Sequence, residues 1–305
     1  MTVILRKTGG QVLVDMLVVH GVRRAFCVPG ESYLAVLDAL YGTSIELITC
    51  RQEGGAAMMA EAQGKLTGSP GICFVTRGPG ATNASSGVHV ACQDSTPMIL
   101  FIGQVERAFR GREAWQEIDY TKFFAPICKW VTEVDDATQL PDVIARAFHI
   151  ATSGRPGPVV ISLPEDMLTD QVAAPAVSFV ADDKPKLDMK MFEQVGTLLS
   201  AAKAPVLLLG GSTWSEEGRA AITRFAENWN LPVVVSFRRQ HLFDHTHPNF
   251  AGHAGYGIDA PLGERIKHAD LVMLVGGRFS EVPSQSYTLI DAPQPRQTLI
   301  HIHPD

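Results

Sequence analysis

ICFVTRGPGATNASSGVHVACQDSTPMILFIG, residues 72–103, decides the fold. Two short apolar runs, Ile72–Thr76 and Met98–Gly103, flank a segment of helical pattern, Ala81–Cys92. An apolar run of that length with no polar alternation fits a strand covered on both faces. Strand, helix and strand in that order predict a parallel βαβ unit. The pattern extends outwards from there. Upstream, Arg24–Val28 and Ile45–Cys50 read as strands, and Gln11–His20, Tyr33–Leu40 and Gly54–Leu66 as helices. Downstream, helix Leu140–Ala151 leads into strand Val159–Leu163. The expected class is α/β, with a doubly wound parallel sheet over residues 1–168.

Residues 169–188, TDQVAAPAVSFVADDKPKLD, have no period, two prolines and a cluster of acids and bases, and read as an inter-domain linker. A second α/β pattern covers 189–305. It opens with helix Asp188–Ala202, strand Val206–Leu209, helix Glu216–Asn228 and strand Val233–Ser236. A long loop follows, then helix Pro261–His268 and strands Leu271–Val275 and Thr298–His303. The chain stops at HIHPD, directly after a strand, where a doubly wound domain continues into a helix. A second domain cut short is the expectation.

Composition narrows the function classes. Of 305 residues, 46% are hydrophobic and 19% charged, which suits a chain that buries a large core. The net charge of −6 argues against a nucleic-acid partner or a basic membrane-surface role. No apolar run reaches the roughly 18 residues of a membrane span. The opening MTVILRKTGGQ lacks the apolar block and cleavage site of a secretory signal. Five cysteines form no CxxC pair, and Cys27, Cys50 and Cys73 lie in apolar runs, so a reducing, cytoplasmic location is expected.

Chemistry-bearing residues collect where expected strands end. In Cys50–Gly68, CRQEGGAAMMAEAQGKLTG, Glu53 stands at the mouth of a helix among small and apolar neighbours. Burial favours the protonated form of such a carboxyl and a helix N-terminus favours the ionised form. A helix-capping role is the plain alternative to a catalytic one. Thr76–Asn83, TRGPGATN, is either an ordinary tight turn or a glycine loop that a ligand approaches closely, with a phosphate as the obvious guess. It is not a Walker loop, because no GK[ST] follows. Phe26–Ser32, FCVPGES, repeats the strand-end-to-helix design, and three such ends point to a ligand crevice. Gly111–Lys122, GREAWQEIDYTK, is a polar connection long enough to be functional, with Gln116 at its middle. His241, His245 and His247, and the pair His301 and His303, have no spacing typical of metal ligands.

Taken together and in order, FCVPGES, RQEGGAAMMAEAQGKLTG, TRGPGATN, DSTPMILFIGQV, AWQEID and GRPGPVVISLPED resemble the thiamine-diphosphate-dependent enzymes, most nearly the acetolactate (acetohydroxyacid) synthase branch. The match is tight from about Gly10 to Asp166 and looser to Asp305. The resemblance implies that the first domain binds the cofactor's pyrimidine. Glu53 would then hydrogen-bond a pyrimidine ring nitrogen and activate the cofactor. Val28, Pro29, Gly30, Thr76, Pro79 and Asn83 would contact the cofactor, and Gln116 would stand near the reacting centre. By the same resemblance the TRGPG loop meets the pyrimidine side, and the phosphate guess falls.

The resemblance further implies a 2-oxo acid substrate such as pyruvate, decarboxylated and ligated to a second carbonyl. It implies homodimers or tetramers, and a central domain that in the synthase branch often carries FAD. Arg155, His253 and Arg278 match FAD contacts, with Gly210–Gly211, the HAGYG segment and GRF nearby. However, this chain has GHAGYG and GRFSEV where the synthase pattern has GMHG and ARFDDR, which puts FAD in doubt. Magnesium and the diphosphate belong to a third domain marked by GDG and a later Asn. No GDG occurs here, and such a domain needs about 150–200 more residues. The expectation is a fragment, or one chain of a split enzyme, inactive alone. A 2-oxo acid decarboxylase and a non-catalytic dimerisation module remain as alternatives. A dehydrogenase is disfavoured, because no GxGxxG follows a strand with an acid about 20 residues on.

Overall fold

The computed structural model describes residues 6–173 and 188–304. The chain forms two compact units, Met1–Asp183 and Lys184–Asp305.

The first unit contains β1 (Arg6–Thr8), α1 (Gly9–Val19), β2 (Arg24–Cys27), α2 (Leu34–Leu40), β3 (Glu46–Thr49), α3 (Glu53–Thr67), β4 (Gly71–Val75) and α4 (Pro79–Asp94). It continues with β5 (Met98–Gln104), α5 (Tyr120–Phe124), β6 (Trp130–Glu133), α6 (Leu140–Thr152), β7 (Pro158–Pro164) and β8 (Gln171–Ala173). Six of these strands form one parallel sheet in the order β3-β2-β4-β5-β7-β6. The unbroken apolar runs become the central strands, and β4, β5 and β7 are buried along their whole length. The edge strands β3 and β6 stay partly open.

The two faces of β4 explain the two-sided cover. Ile72 and Phe74 join a core with α1, α2 and α6, where Phe74 stacks on Phe101 at 4.9 Å. Cys73 and Val75 join a second core with Ala56, Ala57 and Ala60 of α3 and Ala81, Ala84 and Val88 of α4. Small residues let α3 come very close to both α4 and β4. A Cβ placed on Gly87 would lie 2.5 Å from the Ala57 Cβ, and one on Gly71 only 1.8 Å from the Ala60 carbonyl oxygen. Burial raises the pKa of the Cys27 and Cys73 thiols, so both act as neutral core groups.

The second unit contains α7 (Met189–Ala201), β9 (Pro205–Leu209), α8 (Glu216–Asn228), β10 (Val233–Ser236), β11 (Phe250–Ala254), α9 (Ala260–Lys267), β12 (Leu271–Val275) and β13 (Thr298–Ile302). Its sheet is also parallel, in the order β11-β10-β9-β12-β13. Leu199 of α7 and Ala226 of α8 pack on one face, and Leu262 and Ile266 of α9 on the other. Both units therefore have the expected α/β class with parallel sheets.

The sequence reading missed five elements, the short strand β1 among them. α5 begins inside the polar connection Gly111–Lys122, and β6 lies in a stretch to which the sequence reading assigned no element. β11 forms inside the expected long loop; its run FAGHA has little apolar content, and it pairs with β10 through an irregular register at Val233/Val234. β8 falls within the stretch read as a linker and pairs antiparallel with β1, Arg6 opposite Ala173. The rest of that stretch, 174–187, lies outside the described residues.

The glycine packing has measurable consequences. Gly71→Ala forces a methyl group into the Ala60 carbonyl and should destabilise the chain by about 1–3 kcal/mol in urea unfolding. Gly196→Ala, in α7 with nothing within 4 Å, should instead stabilise it by up to about 1 kcal/mol.

Candidate active site

In a doubly wound sheet the ligand crevice opens where the strand order reverses, outside the carboxyl ends of the strands. In the first unit that point lies between β2 and β4, since the chain goes from β2 out to β3 and returns to β4 on the other side. Val28, Pro29 and Gly30 leave β2 there, and Thr76 to Pro79 leave β4. The two ends touch: a Cβ on Gly30 would lie 2.5 Å from the Thr76 Cβ. The Thr76 hydroxyl is 2.8 Å from that of fully buried Ser32. Ser32 also abuts β5, where a Cβ on Gly103 would be 2.2 Å from its Oγ. The Tyr33 hydroxyl donates to the Val28 carbonyl at 2.5 Å.

Glu53 is the first residue of α3 and is half-buried. The Gln52 side chain caps the helix by accepting the Gly55 N–H at 2.8 Å, so capping does not fall to Glu53. Asn83, one turn into α4, donates its amide to Glu53 Oε2 at 3.0 Å. No hydrogen bond from the described residues reaches Oε1, which faces Gly80: a Cβ there would sit 3.6 Å away. The result is an oriented carboxylate with one free oxygen above a glycine-lined floor. Such a group can exchange a proton with a flat, nitrogen-bearing ring.

Gln116 joins the same place from a different loop. Its backbone is left-handed, with φ 64°, and a Cβ on Gly78 would lie 2.6 Å from the Gln116 Cβ. Gly78 itself has φ 59°, and its N–H donates to the Tyr120 hydroxyl at 2.7 Å. The structure thus gathers Val28, Pro29, Gly30, Glu53, Thr76, Pro79, Asn83 and Gln116 around one crevice.

Sequence reasoning overlooked Arg77, Tyr120 and Glu117. Arg77, only 8% exposed, donates to Glu31 at 2.8 Å and Glu165 at 3.1 Å and so joins the loops after β2, β4 and β7. A signal existed, since acids stand in PGES and PED beside the arginine of TRGPG. Tyr120 carried none.

Arg155 lies elsewhere in this unit. Its guanidinium donates to Ser95 Oγ at 2.7 Å and the Cys92 carbonyl at 2.8 Å, at the end of α4. His253 and Arg278 belong to the second unit, whose own reversal point lies between β9 and β12. There Gly211 and Gly276 both have φ 77°, and a Cβ on Gly210 would lie 2.8 Å from the Gly277 Cα. Arg278 follows Gly277, and His253 lies in β11. His301 makes a 2.9 Å hydrogen bond with the Gly277 carbonyl. His245 stacks on Phe250, and His247 meets Glu227 at 3.1 Å.

Known proteins of similar sequence identify the family. The profile of the thiamine pyrophosphate enzyme N-terminal TPP binding domain matches residues 7–123, and that of the thiamine pyrophosphate enzyme central domain matches residues 192–305. The chain belongs to the thiamine pyrophosphate enzymes. It is similar to a mitochondrial acetolactate synthase catalytic subunit of Aspergillus candidus, with 35% identity over 90% of this chain and 42% of the relative. It is also similar to the large subunit of acetolactate synthase isozyme 2 of Escherichia coli K12, at 31% identity over 90% of this chain and 50% of the relative. A probable acetolactate synthase large subunit of Methanocaldococcus jannaschii is 32% identical over 90% of this chain and 47% of the relative. The chain thus spans about half the length of the curated relatives it matches. Every residue of the crevice lies within the TPP binding match. No helix among the described residues is long and apolar enough to cross a membrane.

Tyr120 offers a test of the packing beside Gly78. Burial pushes its hydroxyl up to about 12, from an ordinary value of 10. The folded chain keeps this proton after the unfolded chain has released it. The contribution to stability is therefore full below pH 10 and is lost as the pH rises towards 12. Tyr120→Phe should remove that part of the alkaline loss in unfolding curves. At neutral pH it should cost about 1–3 kcal/mol, because the Gly78 N–H loses its acceptor.

Proposed function

We propose that this chain is the cofactor-activating part of an enzyme that decarboxylates a 2-oxo acid and ligates the two-carbon unit to a second carbonyl, as an acetolactate synthase does. Residues 1–168 are the pyrimidine-binding domain and 189–305 the central domain. The observation that carries the reading is Glu53, oriented by Asn83 with one carboxylate oxygen free over Gly80.

These residues fit the pyrimidine half of thiamine diphosphate. Gly30, Gly78 and Gly80 let Thr76 and Gln116 pack directly on the backbone, which brings the strand ends together beside the open Oε1 of Glu53. When bound, the cofactor supplies an acidic thiazolium carbon and an electron sink for decarboxylation. Glu53 would share a proton with a ring nitrogen of the bound cofactor, and Asn83 keeps its carboxyl group aligned. Val28, Pro29, Thr76, Pro79 and Gln116 would contact the cofactor, and Gln116 would also stand near the reacting centre.

Magnesium and the diphosphate are held by a segment outside these 305 residues, since the chain has no GDG followed by an Asn. The working enzyme is a homodimer or tetramer, and its location is cytoplasmic. A flavin, where one binds, lies at the reversal point of the second unit. Gly210–Gly211 and Gly276–Gly277 pack against each other there, Arg278 follows Gly277, and His253 lies in β11. Arg155 is the third residue matched to FAD contacts; in the first unit its guanidinium donates to Ser95 Oγ and the Cys92 carbonyl.

Calorimetric titration with thiamine diphosphate and magnesium tests the reading. The chain alone should bind only at millimolar cofactor. With a chain supplying the diphosphate-binding domain it should turn over pyruvate, and Glu53→Gln should lower that rate by about 10²–10⁴-fold. Micromolar, magnesium-dependent binding by the chain alone would contradict the assignment of the diphosphate site.

A further inference from the structure

The loop that carries Gln116 is closed around a single carboxylate. Glu117 Oε1 accepts the Gly111 N–H at 2.6 Å, and Oε2 accepts the Ala114 N–H at 3.1 Å. The Glu117 N–H donates to the Ala114 carbonyl at 3.0 Å. The stem is fixed as well, by the Gln104 carboxamide, which donates to the Ile118 carbonyl at 2.9 Å.

Inside this ring the backbone is left-handed at Gly111 (φ 71°), Glu113 (φ 55°) and Gln116 (φ 64°). Glycine adopts that conformation freely, but glutamate and glutamine do not. Something outside the two residues must hold them there. The Glu117 carboxylate is the group that contacts both ends of the turn. Opposite it, Tyr120 accepts the Gly78 N–H and presents the Gly78 turn to Gln116.

We propose that Glu117 is a positioning residue for Gln116. Its two oxygens satisfy two backbone N–H groups at once and keep Gln116 left-handed against Gly78. This sets where the Gln116 side chain meets the ligand, and it rests on the placement of Gln116 in the proposed site. The chemistry requires a carboxylate of this length. A carboxamide has one acceptor oxygen for two donors, and an alanine has none.

Two readouts on the full chain test it. The first is hydrogen exchange at the Gly111 and Ala114 amides. Glu117→Ala should speed exchange at both by at least about tenfold, and Glu117→Gln at one, with the Ile99 amide of β5 unchanged. Unchanged exchange at Gly111 and Ala114 overturns the proposal. If the alanine variant does not fold, Glu117→Gln decides alone. The second is binding of thiamine diphosphate with magnesium, followed by ligand-observed NMR. Glu117→Ala should weaken binding, and in a Gln116→Ala background it should weaken it no further. Further weakening there overturns the proposal, because Glu117 would then act on the ligand independently of Gln116. Faster exchange together with a Gln116→Ala variant that binds like the wild type rejects the positioning role through failure of the site reading, and leaves a loop clamp only.

Discussion

The site depends on the contact between Gly30 and Thr76. Two neighbouring parallel strands end side by side, and a single methyl group at residue 30 would push them apart. Because the contact is so close, Ser32 can reach Thr76 and also pack against Gly103, which brings the end of β5 into the same cluster. Gly80 stands on the other side of Thr76, so the start of α4 is set by the same side chain. Arg77 then joins this cluster to the loops after β2 and β7. The crevice is a close meeting of strand ends, with glycine at the contacts because the Thr76 and Gln116 side chains fill the space a Cβ would need.

At that crevice the helices bring the functional groups together. α3 and α4 pack through alanine and glycine, and their first turns lie close enough for Asn83 to reach Glu53. Larger residues between the helices would separate the carboxylate from its amide without touching either. Packing and site geometry are coupled here: the same small residues that allow close packing also set the distance between Glu53 and Asn83. The second unit repeats the architecture, with glycines meeting at its own reversal point.

Most of this was legible in the sequence where local pattern and tertiary role agree. The apolar runs 72–76 and 98–103 became the buried centre of the sheet, and Glu53, Asn83 and Gln116 came to one crevice although they stand on three different segments. What could not be read depends on contacts distant in the chain. β8 exists only because β1 pairs with it, and β11 only because β10 does. The function of Glu117 lies in two backbone amides upstream of it, and Tyr120 acts through a glycine 42 positions earlier. The phosphate guess for TRGPG followed from a true feature, a glycine turn before a helix. In the structure the Gly78 N–H that would greet an anion is already bound to Tyr120.

The central claim is that a flat ring binds over Gly30, Gly78 and Gly80 and reaches Glu53. Amide chemical-shift mapping of the labelled chain, titrated with thiamine diphosphate and magnesium, tests it most directly. The account predicts that the shifts concentrate at Gly30, Glu53, Gly78, Gly80 and Gln116. Shifts confined to the Gly210 and Gly276 turns, or spread without focus over both units, would contradict it.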